Sequence, residues 1–461
     1  MAGSVAQWVL LSFVAGFAYG LNVDLTAAES LKEASSTIAY DMMATYTGNQ
    51  TGDNPGNLPE PYYWWETGAM FMHMVDYYYY TGDPSYNEAT VQAICWQAGM
   101  SGETFMPENQ TKSEGNDDQV FWAFASMAAA ELKYPPPQEG YPSYTEMAQN
   151  VLNQQIERWD PDTCGGGLRW QIQSLNVGYN YKNIASNGGF FHLAARLARY
   201  TGNEKYVEQT EKMWDWISSS ALYDPGTPQG IRIYDGASVE TGCKKPNTAQ
   251  YSYNYGILIG GLAYIYNHTK DSKWLEPLHG IMNATFNIFF NPEKIMVEVG
   301  CEPFDAGCST DGLTFKSFTL RWLVLCAQLV PETADIIWPY ITASAQAAAR
   351  QCSGDDNDVC GYHWTDPTWD GTQGVGQQMS ALAVIQANLI TVDDLAAPLT
   401  LDTGGTSKGN ASAGTGPEYT GPEGSPWLTK KITTGDKAGA GILTALFLAG
   451  TLSGTYWILA Y

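Results

Sequence analysis

The chain has 461 residues and a formal net charge of −25, which speaks against nucleic acid or an anionic lipid surface as a partner. Charged residues make up only 15% and aromatic residues 13%, a balance that suits an uncharged, ring-shaped ligand and a large core. The stretch between the two ends exceeds the usual single-domain size, but a toroid of repeated hairpins can reach it.

Residues 1–23 carry no charged side chain, and Val9-Leu10-Leu11-Ser12-Phe13-Val14-Ala15 is a short apolar run followed by the small residues around Ala18-Tyr19-Gly20. Residues 1–20 therefore read as a secretory signal peptide. Eight cysteines, an even count, suit disulfides in an exported chain. Asn-x-Ser/Thr sites at Asn49, Asn109, Asn267, Asn283 and Asn410 are glycan acceptors in that compartment.

Residues 21–390 hold twelve helical stretches of two kinds that take turns. Those over 64–80, 118–133, 186–200, 252–267, 315–329 and 374–389 are apolar nearly all round, as in Gly256-Ile257-Leu258-Ile259-Gly260-Gly261-Leu262, and predict helices buried on every side. Those over 25–47, 86–99, 145–157, 207–217, 275–289 and 335–350 are one-sided. Val207, Thr210, Trp214 and Ile217 repeat at helical spacing with Glu208, Glu211 and Lys212 opposite, which predicts one face in water. Six inner and six outer helices define an all-α class, the (α/α)6 toroid; an open helical solenoid is the alternative. The turns Tyr80-Thr81-Gly82-Asp83, Tyr200-Thr201-Gly202-Asn203 and His268-Thr269-Lys270-Asp271 are variants of one connection, the first two with glycine as helix stop.

Connections from outer to inner helices are long, such as 158–185 and 220–251, and long loops in a compact domain usually carry function. They hold Cys164, Cys243, Cys301, Cys308, Cys352 and Cys360; Cys301–Cys308 and Cys352–Cys360 are candidate local staples, and Cys95 and Cys326 lie in helices without assignment. Residues 391–437 are rich in Gly, Ser, Thr, Pro and Ala, and 438–461 are uncharged. A small-residue stalk followed by an apolar tail reads as a GPI-anchor signal, with attachment between Ser425 and Asp436. A terminal membrane span is the rival; Gly and Thr dilute the tail and no basic residue flanks its far end.

Gly115-Asn116-Asp117-Asp118-Gln119 opens the second inner helix on the elaborated face. Acids in a first helical turn are ordinary caps. Here the following Val120-Phe121-Trp122-Ala123-Phe124 is fully apolar, so both acids head toward the centre. Glycoside cleavage with retention needs two carboxyls about 5–5.5 Å apart. A helix N-terminus favours one carboxylate as an anion, whose charge keeps the proton on the other. The residues alone do not decide which is which.

Aromatic and amide side chains recur at four inner-helix starts: Tyr62-Tyr63-Trp64-Trp65-Glu66; Tyr179-Asn180-Tyr181-Lys182-Asn183 with Asn187; Tyr251-Ser252-Tyr253-Asn254-Tyr255; and His363-Trp364 with Trp369. Rings stack on sugar C–H faces and amides bond hydroxyls. Trp64, Trp65, Asn116, Tyr181, Asn183, Asn187, Tyr253, Asn254, Tyr255 and Trp364 are therefore the candidate substrate-binding residues, with core packing as the alternative for each. Gly405-Thr406-Ser407-Lys408-Gly409 matches a nucleophile-elbow pattern but has no strand before it and lies in the expected disordered stalk. The five histidines show no metal-ligand spacing, and Asp355-Asp356-Asn357-Asp358 lacks calcium-loop spacing, so no metal or other cofactor is expected.

These blocks resemble glycoside hydrolase family 76, the endo-α-1,6-mannanases, and in particular its GPI-anchored fungal members needed for cell-wall construction. The resemblance covers roughly 22–390 and both terminal signals. It rests on Tyr62 to Met70, Gly115 to Ala123, Gly165-Gly166-Gly167-Leu168-Arg169-Trp170-Gln171, Ser252 to Gly261, and Phe315-Lys316 with Arg321. It implies an (α/α)6 toroid, Asp117 as nucleophile and Asp118 as acid/base. It further implies action on α-mannosides or the GPI glycan, β-glucan as acceptor, GPI-anchored mannoproteins as partners, and a place at the outer plasma-membrane leaflet and cell wall. A catalytically silent mannan-binding or scaffolding protein is the other reading; the intact acid pair speaks against it.

Overall fold

The computed structural model describes residues 20–99, 104–227, 230–304, 307–354, 358–415 and 433–460. The expected signal peptide, apart from Gly20, lies outside the described residues, as do most of the expected anchor-attachment stretch and Asp355, Asp356 and Asn357 of the acidic loop.

Helices dominate. Five come first: α1 Ala28–Ala44, α2 Trp64–Thr81, α3 Asn87–Ala98, α4 Asn116–Glu131 and α5 Tyr144–Glu157. The short strand β1 Tyr181–Asn183 leads into α6 Ile184–Thr201 and α7 Glu204–Ser219. Strands β2 Tyr223–Thr227, β3 Gly230–Ile233, β4 Gly236–Ser238 and β5 Pro246–Asn247 precede α8 Ser252–Thr269 and α9 Leu275–Phe289. Then follow α10 Phe315–Leu329, α11 Ala334–Gln351, β6 Cys352–Gly354, β7 Val359–Cys360, α12 Val375–Gln386, α13 Leu389–Val392 and α14 Thr434–Ala460.

The even-numbered helices α2 to α12 pack each on the next, and α12 returns to α2, so the succession closes on itself. The odd-numbered helices α1 to α11 lie outside, against the even ones beside them. The burial follows the sequence pattern: every residue of α12 is buried, whereas α7 buries Tyr206, Val207, Thr210, Met213, Trp216 and Ile217 and turns its charges out. Glycine ends two of the repeated turns because the chain turns left-handed there, with φ of 76° at Gly82 and 69° at Gly202; at the third, Lys270 takes the same conformation with φ 56°. Buried ion pairs tie inner helices together, Arg321 to Asp76 across α10 and α2, and Arg196 to Glu131 across α6 and α4.

Two features depart from the sequence reading. The long connections are not irregular throughout: β1, β4 and β5 form a small antiparallel sheet with Asn183 opposite Gly236, and β2–β3 and β6–β7 form two-stranded ribbons. These strands of two to five residues carry no periodicity that sequence could reveal. The stretch from Thr391, expected to be disordered stalk, lies ordered on the body as far as Thr415. Its backbone finds partners at helix ends: Leu399 N–H donates to the Glu131 carbonyl, Leu401 N–H to the Tyr200 carbonyl, and Arg199 to the Pro398 and Leu399 carbonyls. Ser407 bonds Thr145, and Asn153 donates to the Ala413 carbonyl, so the apparent nucleophile elbow is a packing contact on α5. The described helices include none long and apolar enough to cross a membrane.

Candidate active site

The first turns of α2, α4, α6, α8 and α10 meet at one face. α4 begins two residues earlier than its apolar run, so both acids of the pair stand inside its first turn. Gly115 makes this possible. A Cβ there would lie 2.3 Å from Asp117 Oδ1 and 2.7 Å from Asp118 Oδ2, so both carboxyl groups fold back over bare backbone. Asp118 Oδ2 accepts from the Gly115 N–H at 2.5 Å, and Asp117 Oδ1 from the Asp118 N–H at 3.0 Å.

The two carboxyls differ in their surroundings. Asp117 is buried and also accepts from Asn183 Nδ2 at 2.8 Å, so two donors favour its anion. Burial still raises its pKa above the usual carboxylate range, with the charge of Asp235 adding to the effect. Asp118 is partly open to the cleft. Burial within the domain and the charge of Asp117 raise it well above the usual range, with Asp311 and Glu114 contributing. Asp117 accepts two hydrogen bonds and Asp118 one, an asymmetry that favours the anion on Asp117 and the proton on Asp118.

Two lobes meet at this point. One, of about 520 Å3, is lined by Asp117, Asn183, Tyr181, Asp235, Tyr253 and the loop around Cys301. The other, of about 610 Å3, is lined by Tyr62, Tyr63, Trp64, Lys112, Gln171 and Val177. Trp65, Asp118, Trp170 and Asp311 line both and form the waist. Trp65 stands against Phe121 and donates its indole N–H to Asp311 at 3.1 Å. Tyr253 stacks on Phe315, with ring centroids 4.2 Å apart. Tyr181 donates its hydroxyl to Asp235 at 2.7 Å.

Of the sequence candidates, Asp117, Asp118, Trp64, Trp65, Tyr181, Asn183 and Tyr253 line the lobes. Five others do not. Asn116 is buried and spends its amide on the Arg169 carbonyl and on Arg158. Asn187 clamps the backbone of Leu168 from both sides and so holds the glycine-rich loop. Asn254 is fully buried in α8. Tyr255 faces outward from the cleft to Gln250 and the Ile233 N–H. Trp364 is buried beneath the Lys316 ammonium, which pairs with Glu302. In Asn116, Asn187, Tyr255 and Trp364 the amide or ring serves the wall rather than the cavity. Asp235 and Asp311 line the cleft without having been singled out, and Trp170 and Tyr251, part of the sequence blocks but not among the binding candidates, line it too. Asp235 and Asp311 each precede a glycine, and an Asp-Gly pair reads as a turn.

A carboxyl pair at a helix start, set at the waist of a ring-lined cleft in a helical body, suits a glycoside hydrolase. The chain belongs to glycosyl hydrolase family 76, whose model matches residues 30–402. It is 42% identical over 447 residues to "mannan endo-1,6-alpha-mannosidase DCW1" of Saccharomyces cerevisiae, covering 97% of each chain. It is 39% identical over 454 residues to "mannan endo-1,6-alpha-mannosidase DFG5" of Candida albicans, covering 98% of each. The crystal structure of Dfg5 from Chaetomium thermophilum in complex with glucosamine superposes with a TM-score of 0.80 at 40% identity, over 85% of this chain and 97% of that one. An α-1,6-mannanase of Salegentibacter, solved as an inactive variant with α-1,6-mannotriose, shares the fold with a TM-score of 0.63 at 17% identity, over 78% of this chain and 99% of that one.

Proposed function

We propose that this chain is a retaining endo-α-1,6-mannosidase or transglycosidase built on an (α/α)6 toroid. Its substrate is an α-mannoside, in our reading the glycan of GPI-anchored mannoproteins, and its acceptor a β-glucan of the cell wall. The observation that carries this is the unequal environment of Asp117 and Asp118. Asp117, held by two donors, is the nucleophile; Asp118, which keeps the proton, is the acid/base.

Asp117 lines only the smaller lobe, so the glycone sits there and the leaving group extends into the larger one. The Asp117 carboxylate bonds to the anomeric carbon as the glycosidic C–O bond breaks, and the Asp118 proton goes to the departing oxygen. With Asp117 esterified, its charge no longer holds the proton on Asp118. Asp118 then takes a proton from the incoming hydroxyl, whose oxygen bonds to the anomeric carbon and releases Asp117. Water as that group gives hydrolysis; a sugar hydroxyl gives transfer. The uncharged start of the chain and its small-residue stalk and apolar tail support export and a GPI tether at the outer plasma-membrane leaflet.

The test is Asp117→Asn and Asp118→Asn with an α-1,6-mannoside donor, with and without an oligoglucan, reading product anomers by NMR. We expect retention in the wild type and a loss of about 10³-fold or more in each variant, the scale of losing a nucleophile or general acid. A folded variant with unchanged turnover rejects the assignment.

A further inference from the structure

Asp311 is the third carboxylate at the waist. It lies in neither catalytic helix turn nor aromatic block, yet it lines both lobes beside Asp118. Its position is fixed from several directions. Oδ1 accepts the Trp65 indole N–H, and its backbone carbonyl accepts from both the Thr314 N–H and hydroxyl, in the turn that leads into α10. Gly312 packs against the Cys301–Cys308 disulfide, where a Cβ would lie 3.1 Å from Cys301 Sγ, and its carbonyl accepts from Tyr362. Among the described residues no Lys, Arg or His forms an ion pair with Asp311, which is half-buried. A loop this firmly anchored for one partly exposed acid calls for a role at the pair.

We propose that Asp311 is a positioning residue for the acid: its fixed negative charge at the waist keeps the proton on Asp118 until a leaving group arrives. This rests on the assignment of Asp118 as the acid. The groups that face Asp118 are Asp117 on its own helix, Glu114 just before it, Asp311 from the loop before α10, and Lys112, which lines the larger lobe. The charge of Asp117 vanishes when the glycosyl ester forms, whereas that of Asp311 persists through the cycle. Asp117 thus switches Asp118 between acid and base, and Asp311 sets the level about which it switches.

The experiment is a pH titration of the full chain by infrared difference spectroscopy, following the protonated-carboxyl band that Asp118→Asn removes. Asp311→Asn keeps an acceptor for the Trp65 N–H and is expected to lower the Asp118 midpoint by roughly half to one pH unit, the scale of losing one nearby like charge. Asp311→Ser is expected to do the same, and Asp311→Glu to return the midpoint toward wild type. The alkaline limb of kcat/KM moves down with the midpoint while the acidic limb stays. Wild-type midpoints in the two neutral variants overturn the proposal. A wild type that turns over no α-1,6-mannoside removes the function assigned to the pair, but the infrared midpoints still decide the part played by Asp311.

Discussion

Asn183 performs two tasks with one amide. Its Oδ1 accepts from the Ser186 N–H and caps α6, while Nδ2 donates to Asp117. Asn183→Ser separates them, because serine still caps a helix but is too short to reach the carboxylate. A hydrogen bond to a charged group contributes about 1.5–3 kcal/mol, so kcat/KM is expected to fall by about 10- to 100-fold. Losing that donor raises the pKa of Asp117 further, so the acidic limb of the pH profile moves to higher pH; thermal stability stays close to wild type. A profile that drops in height without that movement would separate Asn183 from the ionisation of Asp117. The same residue shows what sequence can and does not convey about a site. Asn183, Asn116 and Asn187 all stand near inner-helix starts, yet only Asn183 faces the cavity, because an amide bonds a loop carbonyl as readily as a ligand. Asp117 and Asp118 were legible because the wholly apolar helix behind them directs two otherwise ordinary capping acids toward the centre. Asp235 and Asp311 were not, because Asp-Gly is the ordinary vocabulary of turns.

The wall that carries Asn183 is built from remote pieces. Lys182 on β1 directs its ammonium to the carbonyls of Thr163 and Gly166 and to the Asp160 carboxylate, gathering the glycine-rich loop beneath the strand. Cys164 in that loop is bonded to Cys243 beyond β4, across 79 residues of sequence. Closing a loop of that length stabilises the folded chain by about 4 kcal/mol in the chain-entropy account. Replacing both cysteines, Cys164→Ser with Cys243→Ser, is expected to lower the melting temperature by several degrees in calorimetry and to raise KM for a mannooligosaccharide, since the loop beneath β1 then loses its covalent tie to the segment after β4. An unchanged KM would mean that Lys182 and the pairing with β4 hold the strand without the disulfide. At this scale the helices were readable and their connections were not. Periodicity marks a helix such as α10, found over 315–329 as expected, because burial all round leaves a continuous apolar run. The strands of the wall pair across long loops, and nothing local in Tyr181–Asn183 announces its partner. The ordered segment up to Thr415 was hidden for another reason: its composition is that of a stalk, and its order comes from backbone bonds to the ends of helices already folded.

Across the whole molecule, acids are buried that would be ionised in the unfolded chain. Burial pushes Glu66 up to about 8 and Glu298 to about 8, and burial together with the charge of Asp358 brings Asp41 to about 6. Asp117, Asp118, Asp235 and Asp311 are raised as well. Such groups hold their protons to higher pH in the folded state than in the unfolded chain, so their contribution is fully present below the ordinary carboxylate pKa and is lost as pH rises through the folded values. Lys182, lowered to about 8 by burial, acts only above that window, and the lowered Asp160 and Asp370 act only below it. The net charge of −25, which grows in magnitude as these acids ionise, pushes in the same direction through self-repulsion. His73 and His192, held well below the ordinary imidazole range by burial, oppose this up to the ordinary imidazole pKa, but the raised acids outnumber them, so the melting temperature is expected to be highest in mild acid and to decline toward about pH 8. Glu298→Gln, which keeps the contact with Ser252 but does not titrate, is expected to flatten part of that slope. Calorimetry of both chains across the window decides it: a melting temperature that climbs with pH would mean that the buried acids are ionised and paired, and the unequal carboxyls of the cleft would need another cause than burial.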